Sequence, residues 1–311
     1  MCRHVAYLGP RASLRSLLID PPHSLYRQAW SPRRQRHGTV NADGFGIGWY
    51  AGAEPVPARY RQAVPIWADQ SLPDIARVTR SGAVLAAVRS ATAGTASGAE
   101  AAAPFGHGPW LFSHNGAAQG WREWAERAYA LDRPARDGDQ QRPPGGPSLL
   151  SSLEALVDSA VLWALAARRL RAGEAMGSAL AGVIGTVEAV GGAGRFNFLL
   201  TDGHSIAATA CGDTLWYRRA ADDGGASVTV ASEPSDDEPG WTEVPDRHVL
   251  TAVPSAVSVQ PLPAPPASDA ISYNHGTVLP TTVLPTTVLP TTGLPTTGLP
   301  TTGRTEGIVI A

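Results

Sequence analysis

Apolar residues fall in short runs along much of the chain, and most of these runs end at a glycine or a polar residue. Short apolar or alternating runs bounded in this way are typical of β-strands. They form one group before residue 115 and a second group after residue 195. The predicted strands cover residues 3–8, 45–50, 83–88, 110–113, 196–201, 205–210, 214–218, 227–231 and 249–253.

The spacing of apolar residues changes between the two groups of strands. From Leu153 to Leu165 they recur every three or four positions, which predicts one face of an α-helix. Asp158 and Ser159 interrupt this stretch, and an aspartate there needs either water or a cationic partner such as a bound ammonium group. Gly173 predicts the end of the helix, and residues 174–190 predict a second one. Strands, two helices and strands again indicate an α+β fold of packed layers.

Two segments have the composition of irregular chain. Residues 131–147 are rich in Arg, Asp, Gln, Pro and Gly, which predicts a mobile surface loop. Residues 278–302 consist of five pentapeptides, three Val-Leu-Pro-Thr-Thr followed by two Gly-Leu-Pro-Thr-Thr. Proline at every fifth position blocks helix and central strand, so we expect a disordered tail. The sequence therefore predicts one folded domain over residues 2–262 and a low-complexity tail over residues 263–311.

Composition and charge narrow the class of protein. With 43% hydrophobic and 17% charged residues and a net charge of −2, the chain lacks the basic field that captures nucleic acid or an anionic membrane. No apolar run is long enough to span a membrane, and we find no signal peptide. Two cysteines cannot form a disulfide framework, so a cytoplasmic protein is predicted. All 25 basic residues are arginine, which excludes catalysis by lysine.

Cys2 is the strongest candidate for a catalytic residue. Removal of Met1 would place a thiol and a free α-amine on this one residue. Their reference pKa values are about 8.5 and about 7.7–8.0, so a neutral amine can accept the thiol proton near neutral pH. Since the thiolate is the nucleophile, Cys2 could supply both nucleophile and base. The alternative is a chance cysteine behind the initiator methionine.

Two further motifs each have two interpretations. Arg89 ends an apolar run, where it is either a surface arginine or a bidentate ligand for a carboxylate. Asn115-Gly116 predicts either a turn or an oxyanion hole formed by the Asn115 amide and the Gly116 N–H. The neighbouring His114 is a candidate general base, with a structural role as the more common alternative.

A third pattern lies at residues 41–50, where glycines alternate with large apolar residues. The spacing does not fit a dinucleotide-binding motif. It predicts a strand with one glycine face, which either another backbone or a ligand can approach closely. The eight histidines show no spacing typical of metal ligands.

The order of Cys2, Arg89, Asn115-Gly116 and Asp158 resembles that of the class II glutamine amidotransferases, a family of N-terminal nucleophile hydrolases. The resemblance covers roughly residues 2–262 and implies a four-layer αββα sandwich without a cofactor. It implies that the cysteine attacks a γ-glutamyl amide and that its α-amine is the base. The implied roles are nucleophile for Cys2, oxyanion binding for Asn115 and Gly116, α-carboxylate binding for Arg89 and Thr92, and α-ammonium binding for Asp158.

Within this family the chain is most similar to hydrolases of ergothioneine biosynthesis, which remove glutamate from γ-glutamyl-hercynylcysteine sulfoxide. Ser90 and Ala93 stand where synthase-linked members usually have an aromatic residue and a histidine, which favours a stand-alone hydrolase. Val157 stands where threonine is more common before the aspartate. The resemblance is carried by residues 1–10, 20–24, 41–50, 88–92, 111–116, 232–234 and 244–248.

Three functions therefore remain open at the level of sequence. The first is hydrolysis of a small-molecule γ-glutamyl amide. The second is a glutaminase subunit that supplies ammonia to a separate synthase. The third is an inactive scaffold whose repeat tail binds other proteins. The sequence also leaves open whether the chain forms a homo-oligomer.

Overall fold

The computed structural model describes residues 2–52, 54–92, 94–132, 149–222 and 224–264. Within these ranges the chain forms two antiparallel sheets and six α-helices. Of the predicted loop over residues 131–147, the structure describes only residue 131, which ends a helix, and residue 132, which follows it. The rest of this loop lies outside the described residues. The pentapeptide repeats over residues 278–302 also lie outside them.

The predicted strands form two separate sheets. In chain order the strands are β1 (Arg3–Ser13), β2 (Phe45–Trp49), β3 (Ala58–Gln62), β4 (Arg80–Val88), β5 (Phe105–His107), β6 (Trp110–Gln119), β7 (Ala193–Thr201), β8 (Ile206–Ala210), β9 (Trp216–Asp222), β10 (Gly225–Ala231), β11 (Thr242–Glu243), β12 (His248–Val253) and β13 (Ala256–Pro261). The first sheet has the order β11-β9-β10-β1-β4-β2-β3 and the second has the order β13-β12-β8-β7-β6-β5.

Helices cover the outer face of each sheet. Those on the first sheet are α1 (Leu14–Leu18), α2 (Leu25–Gln28) and α3 (Leu72–Val78). Those on the second are α4 (Trp121–Leu131), α5 (Asp158–Arg171) and α6 (Met176–Ala189). A third apolar core fills the space between the sheets. These layers confirm the predicted α+β fold and its αββα arrangement.

The side chains of β1 alternate between the two faces of the first sheet, so this strand contributes residues to two apolar cores. Val5 packs toward the helices of the first sheet, whereas Ala6 and Leu8 pack toward the second sheet. Successive side chains of a strand point to opposite faces, so His4 also faces the second sheet. Its Nδ1 lies 3.2 Å from the Ser113 hydroxyl of β6. The first residues of β1 are thereby held against the middle of β6.

Two local predictions were wrong. The first central helix begins at Asp158 and not near Leu153, because Val157 has extended backbone angles of φ −136° and ψ 153°. Asp158 therefore starts the helix and does not interrupt it. The turn interpretation of Asn115-Gly116 also fails, since β6 continues to Gln119. Pairing with β7 over its full length, including Asn115 opposite Asn197, keeps that segment extended.

The glycine face of β2 packs against protein and not against an open ligand site. A Cβ on Gly46 would collide with the backbone carbonyl oxygen of Ala103. A Cβ on Gly48 would lie 2.6 Å from Leu111 Cδ1. The glycines therefore allow the segment before β5 and the second sheet to approach β2 closely.

Gly46→Ala should destabilise the protein, because the added methyl group has no space against the Ala103 carbonyl. Overpacking of this kind costs about 1–3 kcal/mol in the free energy of unfolding, which lowers Tm by several degrees. Gly185→Ala in α6 is the matched control, since its Cβ would meet no atom within 4 Å. Thermal unfolding of both variants measures the effect, and an unchanged Tm for Gly46→Ala would contradict the close approach.

Candidate active site

The candidate residues come together at one end of the sandwich. A pocket with about 470 Å³ of empty space, its mouth included, opens there between the end of β4, the middle of β6 and the start of α5. Asn115 does not line the pocket, but it adjoins Gly116 and is fully buried. The other predicted site residues all line it: Cys2, Arg89, Thr92, Gly116 and Asp158.

Strand pairing brings Cys2 and Arg89 to the same edge. Val88, the last residue of β4, lies opposite Arg3 of β1. The residues flanking this pair, Cys2 before β1 and Arg89 after β4, therefore leave the sheet side by side. Cys2 is partly buried and its thiol is free.

The guanidinium of Arg89 is held by neutral acceptors. It donates hydrogen bonds to the Ala96 carbonyl at 2.7 Å, the Thr95 hydroxyl at 3.3 Å and the Asp43 carbonyl at 3.4 Å. Among the described residues no carboxylate forms a salt bridge with it, and it is only 7% exposed. Its charge is oriented but not neutralised, so it can pair with a carboxylate in the pocket.

Two residues that support Arg89 were missed in the sequence. Thr95 contacts the guanidinium, and the Thr95 hydroxyl in turn donates to the Thr92 carbonyl at 2.7 Å. Asp43 accepts a hydrogen bond from the Ala91 N–H at 2.8 Å and so fixes the segment after β4. Asp43 lies in the segment that the glycine pattern had singled out, but nothing in that pattern indicated this contact.

Asp158 presents a second charge to the pocket. Its Oδ1 accepts from the N–H of Ser159 at 2.8 Å, and its Oδ2 accepts from the N–H of Ala118 at 2.9 Å. Asp158 also lies in the first turn of α5, next to the positive end of the helix dipole. No salt bridge to Asp158 occurs within the described ranges. It can therefore bind an ammonium group.

The hydrogen bonds of His114 favour a structural role. Its Nε2 lies 2.9 Å from the Arg195 carbonyl, which can only accept, so Nε2 carries a proton. Its Nδ1 lies 3.0 Å from the Ser159 hydroxyl. With both nitrogens engaged and the ring 2% exposed, His114 is poorly placed to take a proton from Cys2. Buried His4 is also a poor general base. Burial, and to a smaller extent Arg3 and His114, lower the pKa of its imidazole to about 3.

Asn115 of β6 lies opposite Asn197 of β7, and the two side chains differ in their hydrogen bonding. The Asn197 amide accepts from the N–H groups of Cys211 and Asp213 and donates to the Asp213 carbonyl. In the described structure, neither Oδ1 nor Nδ2 of Asn115 has a hydrogen-bond partner, although both are buried. A buried polar group without a partner costs about 1–3 kcal/mol, so an unpaired amide here indicates a binding function.

The glycine after Asn115 is required by space. A Cβ on Gly116 would collide with the Arg195 carbonyl oxygen of β7 and with the ring of His114. Gly116 lines the pocket, and no side chain at this position blocks the approach of a substrate to its backbone N–H. An amide side chain and a neighbouring backbone N–H are the kind of donors that stabilise a developing oxyanion.

Two other kinds of site are absent from the part of the chain that the structure describes. Among the described residues, no group of three or more His, Cys, Asp or Glu side chains could hold a metal ion. Of the helices in the described ranges, none is both long and apolar enough to cross a lipid bilayer.

The sequence of this chain is similar to those of known proteins of one family. The profile of glutamine amidotransferases class-II matches residues 22–229. A relative from Mycobacterium tuberculosis is 39% identical over 263 residues, which cover 84% of this chain and 97% of the relative. One from Mycolicibacterium smegmatis is 40% identical over 262 residues, which cover 84% of this chain and 100% of the relative. Both relatives are named gamma-glutamyl-hercynylcysteine sulfoxide hydrolase.

Solved structures share the fold. A glutamine aminotransferase class-II domain protein from Silicibacter pomeroyi aligns with a TM-score of 0.56 and 24% identity, covering 85% of this chain and all of the other. The allosteric regulatory enzyme of purine biosynthesis aligns with a TM-score of 0.58 and 16% identity, covering 84% of this chain and 49% of the other. With its profile match, its relatives and this layered fold, the chain belongs to the class II glutamine amidotransferase family.

Proposed function

We propose that this chain hydrolyses the γ-glutamyl amide bond of γ-glutamyl-hercynylcysteine sulfoxide, releasing glutamate and hercynylcysteine sulfoxide, in ergothioneine biosynthesis. The substrate is the one named for relatives that are 39% and 40% identical over nearly their whole length. The observation that carries the proposal is a single pocket lined by a free thiol, an arginine and an aspartate, with neither charge neutralised by the described protein.

The two charges fit the head of a γ-glutamyl group. In this proposal Arg89 binds the α-carboxylate, with Thr92 at the pocket wall, and Asp158 binds the α-ammonium. Binding at two points fixes the direction of the side chain of the glutamyl group. Its γ-carbonyl carbon then lies at Cys2, which lines the same pocket. Such orientation is itself a large part of the rate enhancement.

The proposed reaction passes through a thioester. After Met1 is removed, the α-amine of Cys2 takes the thiol proton and the sulfur attacks the γ-carbonyl carbon. The oxyanion accepts hydrogen bonds from the Asn115 side chain and the Gly116 N–H. The C–N bond then breaks as the amine passes the proton to the leaving nitrogen, and a γ-glutamyl thioester remains. Water attacks the thioester, releases glutamate and restores the thiol, so the scheme needs no cofactor.

The proposal assigns this activity to residues 2–262 and leaves the tail over residues 263–311 out of it. Leu262 supports this boundary, because it follows β13 and packs in the core beside the α4–α6 helices. We place the protein in the cytoplasm because Cys2 and Cys211 are both free thiols, which suits a reducing compartment. The partner in the proposal is a small-molecule substrate, with no nucleic acid or membrane, and the oligomeric state is open.

Substrate preference tests the proposed function directly. Glutamate release should proceed with a kcat/KM at least about tenfold higher for γ-glutamyl-hercynylcysteine sulfoxide than for glutamine, because a large leaving group adds binding energy that ammonia cannot supply. The two substrates are assayed in parallel with protein from which Met1 has been removed. A preference for glutamine would overturn the proposal in favour of a subunit that supplies ammonia to a synthase.

Cys2→Ala should abolish glutamate release while Tm stays close to that of the wild type, because it removes the nucleophile from a partly buried position. Cys211→Ala is the matched control. Burial raises the pKa of the Cys211 thiol, so it stays protonated and its loss should leave most of the activity. Activity near the wild-type level in Cys2→Ala would sink the mechanism.

Asn115→Ala should lower kcat by about 100- to 1000-fold with a much smaller effect on KM, because it removes one oxyanion donor. Asn197→Ala is the control on the facing strand. Since the Asn197 amide forms hydrogen bonds with four backbone groups, its loss should lower Tm more than Asn115→Ala does. Steady-state kinetics and thermal unfolding of both variants separate the two roles. A pure KM effect in Asn115→Ala contradicts the oxyanion role.

A further inference from the structure

A chain of three polar side chains links β6 to the start of α5 inside the pocket. His114 Nδ1 lies 3.0 Å from the Ser159 hydroxyl, and that hydroxyl lies 3.4 Å from Asp158 Oδ1. All three residues line the pocket that contains Cys2. The proposed mechanism uses Asp158 alone and assigns no step to the other two.

The ring of His114 is fixed from several sides. Its Nε2 donates to the Arg195 carbonyl at 2.9 Å. The ring stacks on Phe196, with the centroids 6.4 Å apart, and meets Phe198 edge-on at 5.5 Å. Since Nε2 carries a proton, Nδ1 of the neutral ring has a lone pair. Nδ1 is therefore an acceptor held toward the Ser159 hydroxyl.

The Ser159 hydroxyl has one proton, and two acceptors lie within its reach. His114 Nδ1 is the nearer at 3.0 Å, whereas Asp158 Oδ1 is at 3.4 Å, beyond the usual length of such a hydrogen bond. The hydroxyl therefore donates to His114. Among the described residues, the remaining donor to Oδ1 is the N–H of Ser159 at 2.8 Å, so Oδ1 keeps an unused acceptor position.

The direction of this proton changes the charge that the pocket presents. A hydroxyl that donated to Asp158 would place its positive end on the carboxylate and occupy one of its acceptor positions. The α-ammonium group of a substrate would then compete with that hydroxyl for the same oxygen. With the proton on the side of His114, the carboxylate keeps this position for a ligand. Within the described ranges no cationic side chain forms a salt bridge with it.

We infer that His114 is a positioning residue that acts through Ser159. It binds the Ser159 hydroxyl proton at Nδ1 and so leaves Asp158 Oδ1 open to the α-ammonium group of the substrate. The inference rests on the proposed function, from which it takes the role of Asp158. It assigns His114 to substrate binding, whereas a general base would act in the chemical step and a packing residue in stability alone.

Two substitutions of His114 separate its two hydrogen bonds. His114→Asn places its amide near the position of Nδ1, where the amide oxygen keeps an acceptor for Ser159 while the contact with Arg195 is lost. His114→Gln places its amide near the position of Nε2, where it keeps the contact with Arg195 while Ser159 loses its acceptor. In His114→Gln the hydroxyl is therefore expected to turn to Asp158.

Two ligands that differ only in the α-ammonium group measure the effect without turnover. They are L-glutamate and glutarate, and calorimetric titration of protein from which Met1 has been removed gives the Kd of each. His114→Gln should raise the Kd of L-glutamate about five- to tenfold and leave that of glutarate within about twofold. His114→Asn should stay close to the wild type. Adding Ser159→Ala to His114→Gln removes the competing hydroxyl and should restore most of the affinity for L-glutamate.

Recovery in the double variant is the result that a merely structural histidine would not give, since two destabilising changes would add. An unchanged Kd of L-glutamate in His114→Gln, an equal loss for both ligands, or no recovery in the double variant overturns the inference. If His114→Gln does not fold, Ser159→Ala alone decides. Because the hydroxyl points away from Asp158, Ser159→Ala should keep the Kd of L-glutamate within about twofold, and a rise of about fivefold or more overturns the inference.

Asp158→Asn separates a failure of the inference from a failure of the proposed function. It should raise the Kd of L-glutamate by about tenfold or more and change that of glutarate much less, because it removes the charge that pairs with the ammonium group. If it does so while His114→Gln has no effect, the inference fails and the proposed site stands. If Asp158→Asn leaves the Kd of L-glutamate unchanged, the proposed role of Asp158 fails, and the inference with it.

Discussion

The antiparallel pairing of β1 with both β4 and β10 is the constraint on which the site depends. Because β1 is an inner strand of the first sheet, its start is surrounded by the ends of its two neighbours. Arg89 comes from one neighbour and Glu233 from the other, so Cys2 lies between them. The contact of His4 with Ser113 adds the second sheet to this arrangement. A shift of β1 by one residue would turn every side chain of the strand to the opposite face.

The same alternation explains how the proposed oxyanion donors, Asn115 and Gly116, can come from the middle of a strand. Leu111 packs between the sheets, so Ser113 and Asn115 face that space as well. Gly116 faces the helices, where α5 begins with Asp158. The dipeptide thereby places an amide side chain on one face of β6 and a residue without a side chain on the other. A turn at this point could not hold the two groups with the same rigidity.

The sequence was sufficient for most of the strands and for the layered class, because apolar runs are local signals, and the candidate residues that it singled out, apart from buried Asn115, line one pocket. It was insufficient where long-range pairing decides the outcome. Asn115-Gly116 has the local signature of a turn, but pairing with β7 overrides it. The start of α5 was placed too early, because Leu153 has the helical spacing while its segment precedes the helix. Thr95 and Asp43 could not be found, since their roles exist only through contacts with Arg89.

The separation of Arg89 from Asp158 shows how the fold favours binding over its own stability. Opposite charges that line one pocket would pair if their side chains were free to move. Each is instead fixed by neutral groups, Arg89 by backbone carbonyls and the Thr95 hydroxyl, Asp158 by backbone N–H groups. These bonds hold the two side chains in place, and neither charge is neutralised by a described residue. A zwitterion that enters the pocket therefore meets two charges already oriented, and little conformational entropy is lost on binding.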